Sequence, residues 1–106
     1  MQSNQVRLQL PFEVKERLKR GDKFTILDVR EHEEWEAGHI PQAKHIPLGE
    51  LETRLNELNP NEETVVVCRS GGRSGIACEF LAAMNYNVIN MSGGMTAWQG
   101  DVRQGK

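Results

Sequence analysis

The segment Cys68-Arg69-Ser70-Gly71-Gly72-Arg73-Ser74 places a thiol, two guanidinium groups, two hydroxyls and two glycines within seven residues. The preceding Thr64-Val65-Val66-Val67 reads as a strand buried on both faces, because three consecutive valines favour the extended backbone. The thiol therefore stands at the carboxyl end of a buried strand. A helix is expected from about Ser74 to Met84. Gly71 and Gly72 can take backbone angles closed to other residues, which lets the loop amides turn inward. Inward amides form a nest for an anion, and the helix start adds the positive end of its dipole. Arg69 and Arg73 add positive charge around the same point.

Each of these effects favours a thiolate. An unperturbed thiol with a pKa of about 8.5 is only ~3% ionised at pH 7. A lowering of ~2 units would make roughly three-quarters of it thiolate. The alternative is a buried structural cysteine ahead of an ordinary loop. That reading leaves two arginines and two glycines in five residues without a packing role.

The elements that must position this loop alternate in type. Val6 to Gln9 reads as a short edge strand, and a helix opens at Pro11 and stops at Gly21. Phe24 to Val29 reads as a buried strand, Glu31 to Ala37 as a charged helix ended by Gly38, and His45-Ile46-Pro47 as a brief extended piece. Leu48, Leu51, Leu55 and Leu58 recur at three- and four-residue spacing, which predicts an amphipathic helix over 48–58. Val88 to Met91 is a further strand, and Gly93-Gly94 opens a short last helix ending near Trp98. Alternation at this spacing implies an α/β domain with a mostly parallel sheet and helices on both faces. Ligands of such sheets bind beyond the carboxyl ends of the strands, which points to the residues after Val29, Val67 and Met91.

Length and composition narrow the setting. Residues 1–106 are the size of one compact domain, with a polar tail expected to fray from Asp101 to Lys106. A net charge of −2 gives no electrostatic case for nucleic acid or an anionic membrane as partner. Met1 to Gln5 lacks the basic start and apolar run of a secretory signal, and no stretch is apolar enough to span a bilayer. Two cysteines do not make a disulfide framework, so the expected location is the cytoplasm, where a thiol stays reduced.

Three segments carry a family resemblance. Cys68 to Arg73 resembles the six-residue active-site loop of rhodaneses. Leu27-Asp28-Val29-Arg30, with Glu34-Trp35 and Gly38-His39-Ile40-Pro41, resembles the signature in the first half of that domain, and Gly93-Gly94-Met95-Thr96-Ala97-Trp98 resembles the one near its end. Together they cover about residues 24–98 in family order. Gln42 departs from the pattern, standing where the family usually has glycine. The resemblance implies a rhodanese-like three-layer fold around a five-stranded sheet. It also implies Cys68 as the nucleophile that becomes a persulfide, cradled by Arg69, Ser70, Gly71, Gly72 and Arg73. Related dual-specificity phosphatases place five residues between cysteine and arginine; here there are four, and Val67 precedes the cysteine. The shorter loop suits a sulfur atom better than a tetrahedral phosphate or arsenate.

Other candidates are weighed against plainer roles. Asp28 and Arg30 are expected to support the site structurally, Arg30 pairing with Glu34 or a neighbouring carboxylate and Asp28 accepting backbone hydrogen bonds. Ser74 supports the loop at the helix start. Cys78 reads as a core cysteine beside Ile76, Phe80 and Leu81, with a resolving thiol as the alternative. His32, His39 and His45 match no compact metal-ligand spacing, so no metal is expected, and no cofactor is implied. Trp35 and Trp98 suit packing.

The expected activity is sulfur transfer by double displacement through Cys68, from a small anionic donor such as thiosulfate to a thiol or protein acceptor, by a monomer or weak dimer. The competing class is a protein-to-protein persulfide carrier with weak small-molecule turnover. Phosphatase or arsenate reductase activity ranks behind both.

Overall fold

A computed structural model describes residues 6–106. Five strands, β1 (Arg7–Gln9), β2 (Thr25–Asp28), β3 (Lys44–His45), β4 (Thr64–Val67) and β5 (Val88–Met91), alternate with helices α1 (Pro11–Arg20), α2 (His32–Ala37) and α3 (Gly72–Ala83). They form one sheet in the order β1-β5-β4-β2-β3, and every pairing in it is parallel. Parallel neighbours need crossover connections, which is why the strands are separated by helices. The five-stranded sheet and its covering on both faces follow the expectation.

Side chains of β4 alternate between two cores. Val66 joins Leu27, Val29, Ala77, Cys78 and Leu81 under α3, and Val65 and Val67 join Val14, Ile26, Ile89 and Met91 under α1. With both faces covered, no position in β4 can be polar without a partner, and the strand is continuously apolar beyond Thr64. β4 lies between β5 and β2, with Asp28 opposite Val67 and Asn90 opposite Val66. The loops after these three strands therefore meet at one edge of the sheet.

Two elements differ from the sequence-based expectation. The leucine-spaced segment is not an α-helix but two 3₁₀ pieces, Leu48–Glu50 and Glu52–Glu57, with Arg54 at non-helical angles (φ −119°, ψ 21°). The three-residue steps suit 3₁₀ geometry and the four-residue step from Leu51 to Leu55 spans the kink at Arg54, so Leu48, Leu51, Leu55 and Leu58 still reach the core under α3. The kink lets Arg54 pair with both Glu50 (2.9 Å) and Glu57 (2.7 Å). The tail is also docked rather than frayed. His39 and Arg103 exchange two backbone hydrogen bonds of 3.0 and 2.8 Å, and Gly105 N–H donates to the Glu36 carbonyl at 2.8 Å. The extended link between α2 and β3 has backbone groups to satisfy, and the tail supplies their partners.

Gln42 is exposed, and Asn85 is the only non-glycine residue among those described with positive φ, so Gln42 sits there without strain. Among the described residues no helix is long and apolar enough to cross a membrane.

Candidate active site

Cys68 follows β4 directly and is 1% exposed. Gly71 N–H donates to its Sγ at 3.0 Å, and the Ser74 hydroxyl lies 3.2 Å away. Gly71 takes φ 115°, the left-handed conformation that turns the loop into α3. Burial pushes the Cys68 thiol up. The Ser74 hydroxyl and the amides of Ser74, Gly71 and Ser70 outweigh burial, so its pKa is lowered overall.

Arg73 forms a two-pronged ion pair with Glu34, at 2.7 and 2.9 Å. Its charge is answered mainly by that carboxylate, with the Cys68 sulfur a smaller contribution. Arg69 is exposed and lines a groove with Arg30, Glu34, Gly38, Met95 and Val102. The groups in hydrogen-bond contact with the Cys68 sulfur are a backbone amide and a hydroxyl, and neither arginine touches it.

Asp28 and Arg30 are joined to each other, not to Glu34. The Arg30 guanidinium donates to both Asp28 oxygens at 2.8–3.1 Å and to the Gly38 carbonyl at 2.8 Å. Asp28 also accepts the Arg30 backbone N–H at 3.0 Å. This buried pair pins the start of the β2–α2 link, and Glu34 reaches the loop from α2. Glu34 accepts the Glu31 N–H at 3.0 Å as well, so one carboxylate caps α2 and holds Arg73.

Arg73 holds the Glu34 carboxyl down to about 2, against burial and with help from the Glu31 amide. A carboxyl lowered on folding contributes stability above its ordinary value near 4.5, and that contribution fades as pH falls toward 2. Glu34→Gln should therefore lower the melting temperature at pH 6, and the gap from wild type should close between about pH 4.5 and 2. Parallel melting curves across that range would remove the ion pair from the stability account.

A second contact fixes the loop from the 3₁₀ turn Gly94–Ala97 that follows β5. Met95 N–H donates to the Cys68 carbonyl at 2.9 Å, and the Thr96 N–H and hydroxyl donate to the Arg69 carbonyl at 2.9 and 2.8 Å. Gly93 and Gly94 take φ 86° and 57°, so they make the tight turn and also contact the active loop.

Cys78 is fully buried, and burial pushes its thiol up to about 12. The three histidines serve an aromatic stack. Trp35 lies between His39 (3.5 Å) and His45 (4.7 Å), with His32 edge-on to His45. The sequence reading missed Glu34 as the partner of Arg73. It also missed Asn90, whose side-chain carboxamide in an otherwise apolar buried strand was the available signal.

The chain matches the model of the Rhodanese-like domain family over residues 10–101. It is 34% identical over 84 residues to a protein of Allochromatium vinosum named "Sulfurtransferase", covering 78% of each chain. It is 46% identical over 87 residues to "Putative sulfur carrier protein YrkF" of Bacillus subtilis, covering 81% of this chain and 47% of that protein. The chain thus spans about half the length of that relative. Among solved structures, a rhodanese-like domain protein from Staphylococcus aureus superposes with a TM-score of 0.88 at 36% identity, covering 95% of this chain and all of that one.

Proposed function

The chain belongs to the rhodanese-like domain family, and from that premise we propose that it is a sulfurtransferase carrying sulfane sulfur as a persulfide on Cys68. The observation that carries the reading is the Cys68 Sγ at the end of β4, held by the Gly71 amide and the Ser74 hydroxyl. A thiolate so placed attacks the outer sulfur of thiosulfate. The new S–S bond forms as the bond to the sulfonate sulfur breaks, and sulfite leaves with the electron pair. The persulfide anion keeps the negative charge at the mouth of the same loop, where inward amides receive it. An acceptor thiolate or cyanide then takes the outer sulfur and returns Cys68 as thiolate.

A second reading, persulfide transfer between proteins, is favoured by the carrier name of the Bacillus subtilis relative. Both use Cys68; they differ in whether a free small donor loads it. Intact mass after incubation with thiosulfate separates them. A gain of about 32 Da that cyanide removes supports turnover of the small donor. Loading by a cysteine desulfurase and not by thiosulfate would favour the carrier. No loading from either would overturn the sulfur-transfer reading.

Reactivity should divide sharply between the two thiols. Native protein treated with iodoacetamide at pH 7 should gain one adduct, mapped to Cys68, because the Cys68 pKa is lowered whereas the Cys78 thiol stays protonated to about 12. A second adduct appearing at a comparable rate would show that the core around Cys78 opens.

A further inference from the structure

Four groups around the sulfur close a hydrogen-bonded ring. Gly71 N–H donates to Cys68 Sγ at 3.0 Å, and the Sγ lies 3.2 Å from Ser74 Oγ. Ser74 Oγ–H donates to Asn90 Oδ1 at 2.6 Å, and Asn90 Nδ2–H donates back to the Gly71 carbonyl at 3.3 Å. The orientation of the Asn90 amide is decided by its neighbours. The Gly71 carbonyl can only accept, so the nitrogen faces it and the oxygen faces Ser74.

In the thiol state every donor in the ring has an acceptor: S–H to Ser74, O–H to Asn90, N–H to Gly71 and N–H to sulfur. Removal of the thiol proton changes the count. The sulfur now only accepts, and the Ser74 hydroxyl has one proton for two acceptors, the Cys68 thiolate and the Asn90 oxygen. Asn90 is 9% exposed, so its oxygen has little recourse to water if Ser74 turns away.

We infer that Asn90 is a positioning residue for the Cys68 nucleophile, competing with the sulfur for the single proton of the Ser74 hydroxyl. The inference deepens the sulfur-transfer reading, on which its catalytic meaning rests. A thiolate given every donor in the cradle is abundant but sluggish, since nucleophilicity falls with basicity. With Asn90 drawing on the hydroxyl, the loop amides carry the charge and the sulfur keeps more of its nucleophilic strength. Once the outer sulfur is bound and the charge moves onto it, Sγ no longer needs the hydroxyl, which returns to Asn90.

The test is a four-member cycle of wild type, Asn90→Leu, Ser74→Ala and the double variant, with Cys68 ionisation followed by thiolate ultraviolet absorbance against pH, using Cys68→Ser as the blank. Asn90→Leu removes the competing oxygen at similar volume, and also the clamp on the Gly71 carbonyl. The clamp is lost whether or not Ser74 is present, so the comparison between backgrounds isolates the hydroxyl. The expected result is that Asn90→Leu moves the Cys68 midpoint about one pH unit further down with Ser74 present than with alanine there, the worth of one hydrogen bond to a charged group. An equal effect in both backgrounds, or the opposite sign, overturns the inference and leaves Asn90 as packing. Where Asn90→Leu does not fold, Asn90→Ala removes the same oxygen with less crowding. The other charged and titratable groups about the loop are Arg69 on it, Arg73 and Cys78 on α3, Asp28 at the end of β2, and Arg30 and Glu34 beyond that strand; they are the same in all four proteins. Ionisation is read without any sulfur donor. Failure to load sulfur with an intact cycle would therefore sink the proposed function and not this inference.

Discussion

Cys68→Ser should abolish sulfur transfer, lowering turnover by about three orders of magnitude or more, while the protein melts close to wild type. Serine is nearly isosteric, and its hydroxyl can keep the contacts now made to Gly71 and Ser74, so the cradle persists. What is lost is the nucleophile. An alkoxide is not accessible at neutral pH, and oxygen cannot form the persulfide. The complementary variant is Cys78→Ala, which should load one sulfur like wild type and melt a few degrees lower for its core vacancy. Mass spectrometry after thiosulfate or desulfurase loading, with turnover measured beside it, checks both. Loading that survives Cys68→Ser would place the nucleophile elsewhere, and the other thiol is fully buried.

The second large effect is expected from Gly94→Ala, in a residue that does no chemistry. A Cβ there would stand 2.5 Å from both the Cys68 and Arg69 carbonyl oxygens and 2.6 Å from the Arg69 carbonyl carbon. These are backbone atoms of the active loop and cannot swing aside as a side chain would. Gly94 also has φ 57°, a conformation alanine adopts at a cost. Strain and crowding together should destabilise by about 2–4 kcal/mol. For a domain of this size that lowers Tm by roughly ten degrees or more. The same clash pushes the loop off its amide geometry, so Cys68 should ionise at higher pH and react more slowly. Gly93→Ala is the matched control. It has φ 86°, but its Cβ would meet only the Ala97 methyl at 3.3 Å, so strain should appear without displacement of the loop. Equal effects of the two substitutions on Cys68 ionisation would show that the close approach at Gly94 does not govern the loop.

How far the site could be read in advance depended on the range of the interactions. Cys68, Gly71 and Ser74 are local to one strand–loop–helix turn, and their placement was legible from the valine run and the glycines beside it. The partner of Arg73 was not. Arg73 meets Glu34 across 39 residues of chain because β2 lies beside β4 in the sheet, and strand order is not written in either segment alone. Asn90 reaches Ser74 for the same reason, through the adjacency of β5 and β4. The leucine spacing from 48 to 58 revealed which side chains are buried but not the backbone that buries them, since 3₁₀ and α geometry both bring residues three apart to one face. The docked tail was invisible to composition. Its partners are bare backbone groups of the α2–β3 link, which any sequence carries.

The amino-acid sequence by itself determined the α/β class, the parallel sheet, the position of the thiol at a strand's carboxyl end and the glycines its loop needs. Those follow from side-chain volume, branching and backbone freedom, properties each residue carries wherever it stands. Tertiary structure alone decided which groups surround the thiol: a hydroxyl and an amide at the sulfur, Glu34 taking up Arg73, Asn90 hydrogen-bonded to Ser74 and Gly94 pressed against the loop. These pairings depend on which strands lie side by side, and that is settled only when both faces of the sheet are buried at once.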